Sequence, residues 1–403
     1  MDILQKHALI GEHHQRLVRG GRDPFGVCFD SIVSPTQARV GGKNVLLLGT
    51  NNYLGLTFHP ACLEAATDAL QAEGTGTTGS RVANGTYSLH RTLEREIASF
   101  LDRNTAIVFS TGYQANLAMI SGLAGTQDIV LIDADSHASI YDGCLLSGAQ
   151  IMRFRHNDPD DLDRRLARLR SRGGARLIVV ESLYSMVGDR APLREFVDVK
   201  RRHDAALLVD EAHAFGVLGD NGRGGIEEQG IEHEVDFVVG TFSKALGGVG
   251  GFGASNHPKF DVLRLVSRAY MYTAAGSPSG IAAVRAALNQ VRSGSDLRAR
   301  LWRNVAQLYE GLRELGFEIC CPPGPILALR MADEVAAVAA WIGLFERGVY
   351  VNLAVPPGTP GGMSLLRCSV SAAHSEGEIA RAVACFAAVA DAASGARAVP
   401  SAS

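Results

Sequence analysis

Phe237–Ala254 reads FVVGTFSKALGGVGGFGA. It opens as a short apolar strand, FVVG, and closes in glycines that leave space for something to approach the backbone. Between them Lys244 sits in the run Thr241, Phe242, Ser243, Lys244. A lysine among small residues beside an apolar run is poorly hydrated, so its amine loses a proton more readily and can attack a carbonyl carbon. Taken alone, Lys244 reads better as a solvated lysine after a strand, because most lysines are exposed. Upstream, Ala206–His213 reads ALLVDEAH, an apolar strand ending in two carboxylates and an imidazole. A carboxylate at the C-terminal end of a strand stands where open α/β sheets bind ligands. Pyridoxal phosphate takes a lysine for its aldehyde and a carboxylate for its pyridinium nitrogen. Asp210 and Lys244 supply both groups from the ends of two strands.

Around these two segments the pattern alternates. Strands are predicted at Ala106–Phe109, Ile129–Asp133, Ile151–Phe154, Arg176–Glu181, Ala206–Asp210 and Phe237–Thr241. Helices are predicted between most of them, at Gln114–Leu123, Asp160–Arg172 and Pro192–His203. Continuous apolar strands alternating with helices predict an α/β fold with a mostly parallel central sheet and helices on both faces. Ahead of it come a short strand at Val45–Leu48 and a helix at Pro60–Glu73. After about residue 285 the texture changes to long Ala/Leu/Arg-rich helices, at Ile281–Val291, Leu297–Leu315, Glu334–Arg347 and Glu376–Ala393. The organisation expected is an N-terminal helical arm and extended linker over 1–40, a large domain over 41–285 and a smaller α+β domain over 286–403. The Ala/Ser/Gly-rich tail, Ala393–Ser403, is expected to be disordered.

Composition narrows the class. Hydrophobic residues make up 46% of the 403, enough for a substantial core. A net charge of −3 implies neither nucleic acid nor an anionic membrane as partner. The seven cysteines form no CxxC pair, which fits reduced thiols in a cytoplasmic protein and no metal site. The N-terminus is charged throughout and reads as an amphipathic helix, not a signal peptide. No apolar run is long enough for a transmembrane segment, which leaves peripheral membrane contact open. Gly74–Gly79 and Gly248–Gly253 both match GxGxxG, but the first follows a helix and the second has no acidic residue at ribose distance. Both are read as glycine turns at a close backbone approach. DEAH is also a helicase signature, yet the chain has no GxxxxGK[ST].

Ten segments, LLLGTNNYLGLTFHP, GTGTTGSRVANGTY, AIVFSTGYQANL, DADSHASIYDGC, RFRHND, ESLYSMVGD, LVDEAH, VVGTFSKALG, VGGFGASNHPKF and SLLRCSV, run in order from about Leu46 to Val370. In them the chain resembles the α-oxoamine synthase family of fold-type I (aspartate-aminotransferase-like) pyridoxal-phosphate enzymes, nearest to its bacterial serine-using branch. The resemblance implies an acyltransferase that joins an amino acid to an acyl thioester with loss of carbon dioxide. Its best substrates would be L-serine and a long-chain acyl-CoA, giving 3-ketodihydrosphingosine, the first step of sphingolipid synthesis. Glycine, alanine or threonine, an acyl-ACP donor as in 8-amino-7-oxononanoate synthases, or a silent regulatory subunit are the alternatives, and Lys244 argues against the last.

The resemblance also distributes roles. Lys244 would carry the cofactor and act as base. Asp210 would hold its ring nitrogen, His137 and Ala212 its two faces, and His213 its phenolic oxygen. Gly112 and Tyr113 would donate backbone N–H groups to its phosphate, a task suited to a strand-to-helix junction. Thr241 and Ser243 would add hydroxyls, and Thr273 would reach the phosphate from the second subunit of a homodimer. Arg367, Tyr53 and Ser185 would face the substrate, Arg367 gripping the amino-acid carboxylate. The sequence departs from the family's pattern at Ala275, Ser277 and Val355, where serine-using members carry an arginine before a Pro-Pro pair.

Overall fold

The computed structural model describes residues 2–18 and 22–390. The expected tail, Ala393–Ser403, lies outside the described residues. The chain divides into two compact units. The larger comprises Asn51–Ser185 and Asp189–Leu301; the smaller comprises Met1–Thr50, Met186–Gly188 and Trp302–Ser403.

The smaller unit opens with helix Ala8–Leu17 and three strands, β1 (Ser31–Ser34), β2 (Gln37–Val40) and β3 (Lys43–Leu47). An extended linker was expected before residue 40, yet β1 and β2 form an antiparallel hairpin. The signal for it was weak, because β1 is largely exposed and carries no apolar alternation.

The larger unit is built on a seven-stranded sheet. Its strands are β4 (Thr105–Phe109), β5 (Ile129–Asp133), β6 (Gln150–Phe154), β7 (Arg176–Glu181), β8 (Ala206–Asp210), β9 (Phe237–Thr241) and β10 (Gly251–Ser255). The order is β4-β10-β9-β8-β7-β5-β6. Only β10 runs against its neighbours, pairing antiparallel with β4 and β9. The parallel strands are nearly continuous apolar runs because helices cover both faces and leave no side for water. All five residues of β5 are buried, as are all five of β9.

β10 corrects the reading of Gly248–Gly253 as a turn, since its second half is a fully buried strand. The glycines hid it, because they carry no apolar pattern. They serve a close packing instead. A Cβ on Gly251 would stand 2.6 Å from Gly112 Cα, so the helix Gly112–Leu123 could not seat at its first turn. The helix predicted at Asp160–Arg172 ends at Ala167, and the chain turns over the Arg/Ser/Gly run that follows. Among the described residues, two helices of ten residues or more were not anticipated, Ser88–Phe100 and Ala138–Ser147.

The rest of the smaller unit adds β11 (Glu318–Ile319), β12 (Ile326–Met331), β13 (Val349–Tyr350), β14 (Asn352–Ala354) and β15 (Ser364–Ser369). They form a four-stranded sheet β11-β12-β15-β14, while β13 joins β1-β2-β3 as its fourth strand. The change of texture near 285 falls inside helix Pro278–Ser293, which belongs to the larger unit.

Candidate active site

The larger unit gathers its reactive side chains at one end of the sheet, around a cavity of about 290 Å³. They come from the last residues of strands and the segments that follow them, the position at which open α/β sheets bind ligands. Lys244, Asp210, His137, His213, Ala212, Gly112, Tyr113, Thr241 and Ser243 all line it. These expected residues are therefore brought to one place from four strand ends.

Asp210 closes β8 and is buried. Its two oxygens are held separately: Asn116 Nδ2 donates to Oδ2 at 2.7 Å and the Ala212 N–H to Oδ1 at 2.8 Å. Asn116 spends its second amide proton on Ser139 Oγ, 2.9 Å away. The Ser139 hydroxyl is then free to donate to His137 Nδ1 at 2.7 Å, which also accepts the Ser139 N–H at 3.2 Å. With Nδ1 an acceptor, the neutral ring of His137 carries its proton on Nε2. Loss of hydration holds His137 below the usual imidazole range, and the Lys244 charge adds to this against the pull of Asp210. His137 is thus a neutral donor whose tautomer is fixed by a relay that starts at Asp210.

Glu181 ends β7 in register with Asp210. It accepts the His137 N–H at 2.6 Å. Complete burial pushes its carboxyl up to about 8, and the neighbouring Asp210 charge pushes the same way.

On the opposite wall, Thr111 caps the helix Gly112–Leu123, its Oγ1 accepting from Gln114 N at 3.0 Å. That leaves the N–H groups of Gly112 and Tyr113, two residues that line the cavity. Gly112 has no room for a side chain, because a Cβ would stand 2.7 Å from Thr241 Oγ1. Thr241 donates its hydroxyl proton to Gly250 O at 2.9 Å and stands 2.9 Å from Ser243 Oγ. The exposed Tyr113 hydroxyl donates to Asp142, and its ring meets that of His137 edge-on at 6.3 Å. Behind the cavity, the fully buried Tyr53 places its hydroxyl 2.7 Å from His213 Nδ1.

The remaining expected residues lie elsewhere. Thr273 does not line the cavity; its hydroxyl accepts from Gln114 Nε2 at 3.0 Å. Ser185 is also absent from the lining and stands where the larger unit's first segment ends. Arg367 belongs to the smaller unit, buried in β15, where Nη1 donates to Ser369 Oγ at 2.9 Å. Asn116, Ser139 and Glu181 line the cavity without having been singled out. Each stands inside a segment already picked out, in STGYQANL, DADSHASIYDGC and ESLYSMVGD.

The donor set suits pyridoxal phosphate. A helix N-terminus with a glycine at closest approach offers N–H groups to a phosphate. A buried, doubly held carboxylate suits a protonated ring nitrogen, and an amine in the same cavity suits an aldehyde. Fold and site together define a fold-type I pyridoxal-phosphate enzyme.

Comparison with known proteins agrees. The profile of the aminotransferase class I and II family matches residues 43–386, and the chain belongs to that family. It is 51% identical to the serine palmitoyltransferase of Caulobacter vibrioides, over 94% of either chain. It is 43% identical to the 8-amino-7-oxononanoate synthase of Geobacter metallireducens, over 88% of this chain and 91% of the other. Among solved structures, one described as SPT with its PLP internal aldimine superposes with a TM-score of 0.95 at 46% identity, covering 98% of this chain and all of that one.

Proposed function

We propose that the protein joins L-serine to a long-chain acyl thioester with loss of carbon dioxide, releasing an α-amino ketone, 3-ketodihydrosphingosine. One observation carries the reading: Lys244 and Asp210 line the same cavity from neighbouring strands, together with the first residues of a helix. The 51% identity to a serine palmitoyltransferase supports serine as the amino acid.

Bound pyridoxal phosphate supplies an electron sink for a carbanion at the amino acid's Cα. The chain's own residues do the rest. Asp210 would keep the ring nitrogen protonated, and Asn116 and the Ala212 N–H hold its carboxylate in place for that. Gly112 and Tyr113 N–H groups and the Ser243 hydroxyl would hold the phosphate. Ala212 and His137 would hold the ring. His137 would offer its Nε2 proton to the amino-acid carboxylate, and His213 would bind the phenolic oxygen. Lys244 is the residue that would hold the aldehyde, and its free amine would serve as the base for the amino acid's Cα proton. We assign Arg367 to the substrate carboxylate, and Tyr53 and Ser185 to substrate positioning. The assembly is read as a cytoplasmic homodimer in which Thr273 serves the neighbouring subunit. Among the described residues no helix is long and apolar enough to cross a membrane.

The test is a product assay with serine, glycine, alanine and threonine against acyl-CoA and acyl-ACP donors of different length. We expect a long-chain amino ketone from serine, with release of its carboxyl carbon. Lys244→Ala should abolish turnover, and borohydride should label the wild-type peptide that contains Lys244. Turnover of alanine or glycine but not serine would overturn the substrate, and labelling at another lysine would overturn the site.

A further inference from the structure

The strands that carry the active site at one end floor a second cavity at the other. Its volume is about 620 Å³, within the roughly 300–1,000 Å³ range of small-molecule sites. Ala206 and Phe237, the first residues of β8 and β9, line it, whereas Asp210 and Thr241 at the far ends of those strands line the active site. The wall is apolar: Leu123, Leu177, Val235, Phe237, Phe260 and Leu263.

One cation faces this wall from within the protein. Arg103 lines the cavity and is only 8% exposed. Among the described residues its Nε is buried without a hydrogen-bond partner, and no carboxylate forms an ion pair with its guanidinium. Burial draws down its proton affinity, and Asp102, Glu232 and Asp236 act on it only from a distance. Asp236, the carboxylate in the lining, is already engaged by Lys200 Nζ at 2.5 Å and the Leu207 N–H at 2.7 Å. The half-buried Arg176, also in the lining, is spent on the carbonyls of Leu169, Arg172 and His203. Lys259 stands exposed in the lining and adds positive charge.

A buried guanidinium with unused donors costs folding free energy unless something pairs with it. An anion would pair with it. His233, Ser255, Asn256 and His257 add polar groups to the lining, but the run from Leu123 to Leu263 offers hydrocarbon contact, so the rest of the ligand should be alkyl. We propose that this cavity binds a single-chain amphiphile with one anionic headgroup, the headgroup on Arg103 and the chain along the wall from Leu123 to Leu263.

The experiment uses the full-length holoenzyme and dodecanoate below its micelle concentration, with dodecanol and dodecylammonium as comparators. A fatty carboxylate with a diazirine on its chain, followed by peptide mapping, reports where the chain lies. Dodecanoate should bind better than either comparator, and the label should fall on peptides containing Leu123 or Leu263. Arg103→Gln should weaken dodecanoate by roughly tenfold to a hundredfold, the loss of one charge-assisted contact, with turnover unchanged. Leu263→Trp, which fills the cavity, should abolish labelling there and provides the check if Arg103→Gln folds poorly. Labelling only at the active-site peptides, equal dodecanoate affinity in Arg103→Gln, or dodecylammonium binding as well as dodecanoate would overturn the proposal. So would displacement of dodecanoate by coenzyme A without an acyl chain, which would make this a nucleotide site.

Discussion

Glu181 has no direct task in the chemistry, yet its protonation state bears on the geometry of the cavity. It is fully buried beside Asp210 and accepts the His137 N–H. Its carboxyl is pushed from an ordinary 4.5 up to about 8, so near neutral pH it is an uncharged acid. The native state then holds a proton that the unfolded chain has lost. Stability tied to that proton is complete below 4.5, falls as pH rises, and is gone once pH passes about 8. Glu181→Gln mimics the neutral acid and keeps an oxygen for the His137 N–H. We expect the variant to fold and turn over at pH 7. Its Tm should fall less than that of wild type between pH 5 and 8, as read by thermal scans at stepped pH; parallel curves would show that Glu181 is ionised in the native protein. Residues of this kind were not legible in the sequence. Lys244 and Asp210 were, because their chemistry shows in their immediate neighbours. Asn116, Ser139 and Glu181 act through hydrogen bonds across segments that only the folded sheet brings together.

Among the elements, the ends of β5 and β6 and the loop after β7 are joined by one imidazole. His156 places Nδ1 2.8 Å from Asp133 and Nε2 2.7 Å from Asp189. Asn157 reinforces both, its N–H on Asp133 and its side chain on Asp189, and the Tyr184 ring packs edge-on at 4.5 Å. Burial opposes the charge on His156, but the two carboxylates outweigh it and lift the ring to about 10. The sign is that of a base with a raised pKa. The stabilisation is fully present below the unfolded value of 6.5 and is lost as pH climbs through about 10. His156→Gln should cost about 3 kcal/mol at pH 6, the scale of losing charged hydrogen bonds in a half-buried site. Urea unfolding at pH 6 and at pH 10.5 checks it, and the gap between variant and wild type should narrow at the higher pH. A gap that does not change with pH would mean that the ring is not held as a cation. The sequence showed RFRHND as a motif without its purpose, because Asp133 and Asp189 are distant in the chain. The strands themselves were legible as unbroken apolar runs. β10 was not, because its alternating glycines erase the hydrophobic signal that a buried strand usually carries.

For the whole molecule, the division of the chain was only partly legible. Helix Pro278–Ser293 has the alanine-rich texture of the later helices but belongs to the larger unit, with which it packs through Ile281, Val284 and Leu288. Composition does not say which surface a helix buries, so the texture marks a change of secondary structure and not a boundary. The same gap applies to assembly. Thr273 hydrogen-bonds Gln114 of its own chain and does not line that chain's cavity. A task for Thr273 at a phosphate therefore points to another copy of the chain, in keeping with the prevalence of two-fold dimers. Mixing two inactive variants tests this. In a heterodimer of Lys244→Ala with Thr273→Ala, one site combines both lesions. If the sites are shared, the other site has an intact Lys244 and receives an intact Thr273 from its partner. Activity should return towards half that of the wild-type dimer, measured after subunit exchange is verified by differently tagged chains. If each protomer is self-contained, every site keeps one lesion and no activity returns. Exchanged heterodimers that stay inactive, with Thr273→Ala alone shown to bind the cofactor poorly, would place Thr273 in the service of its own subunit.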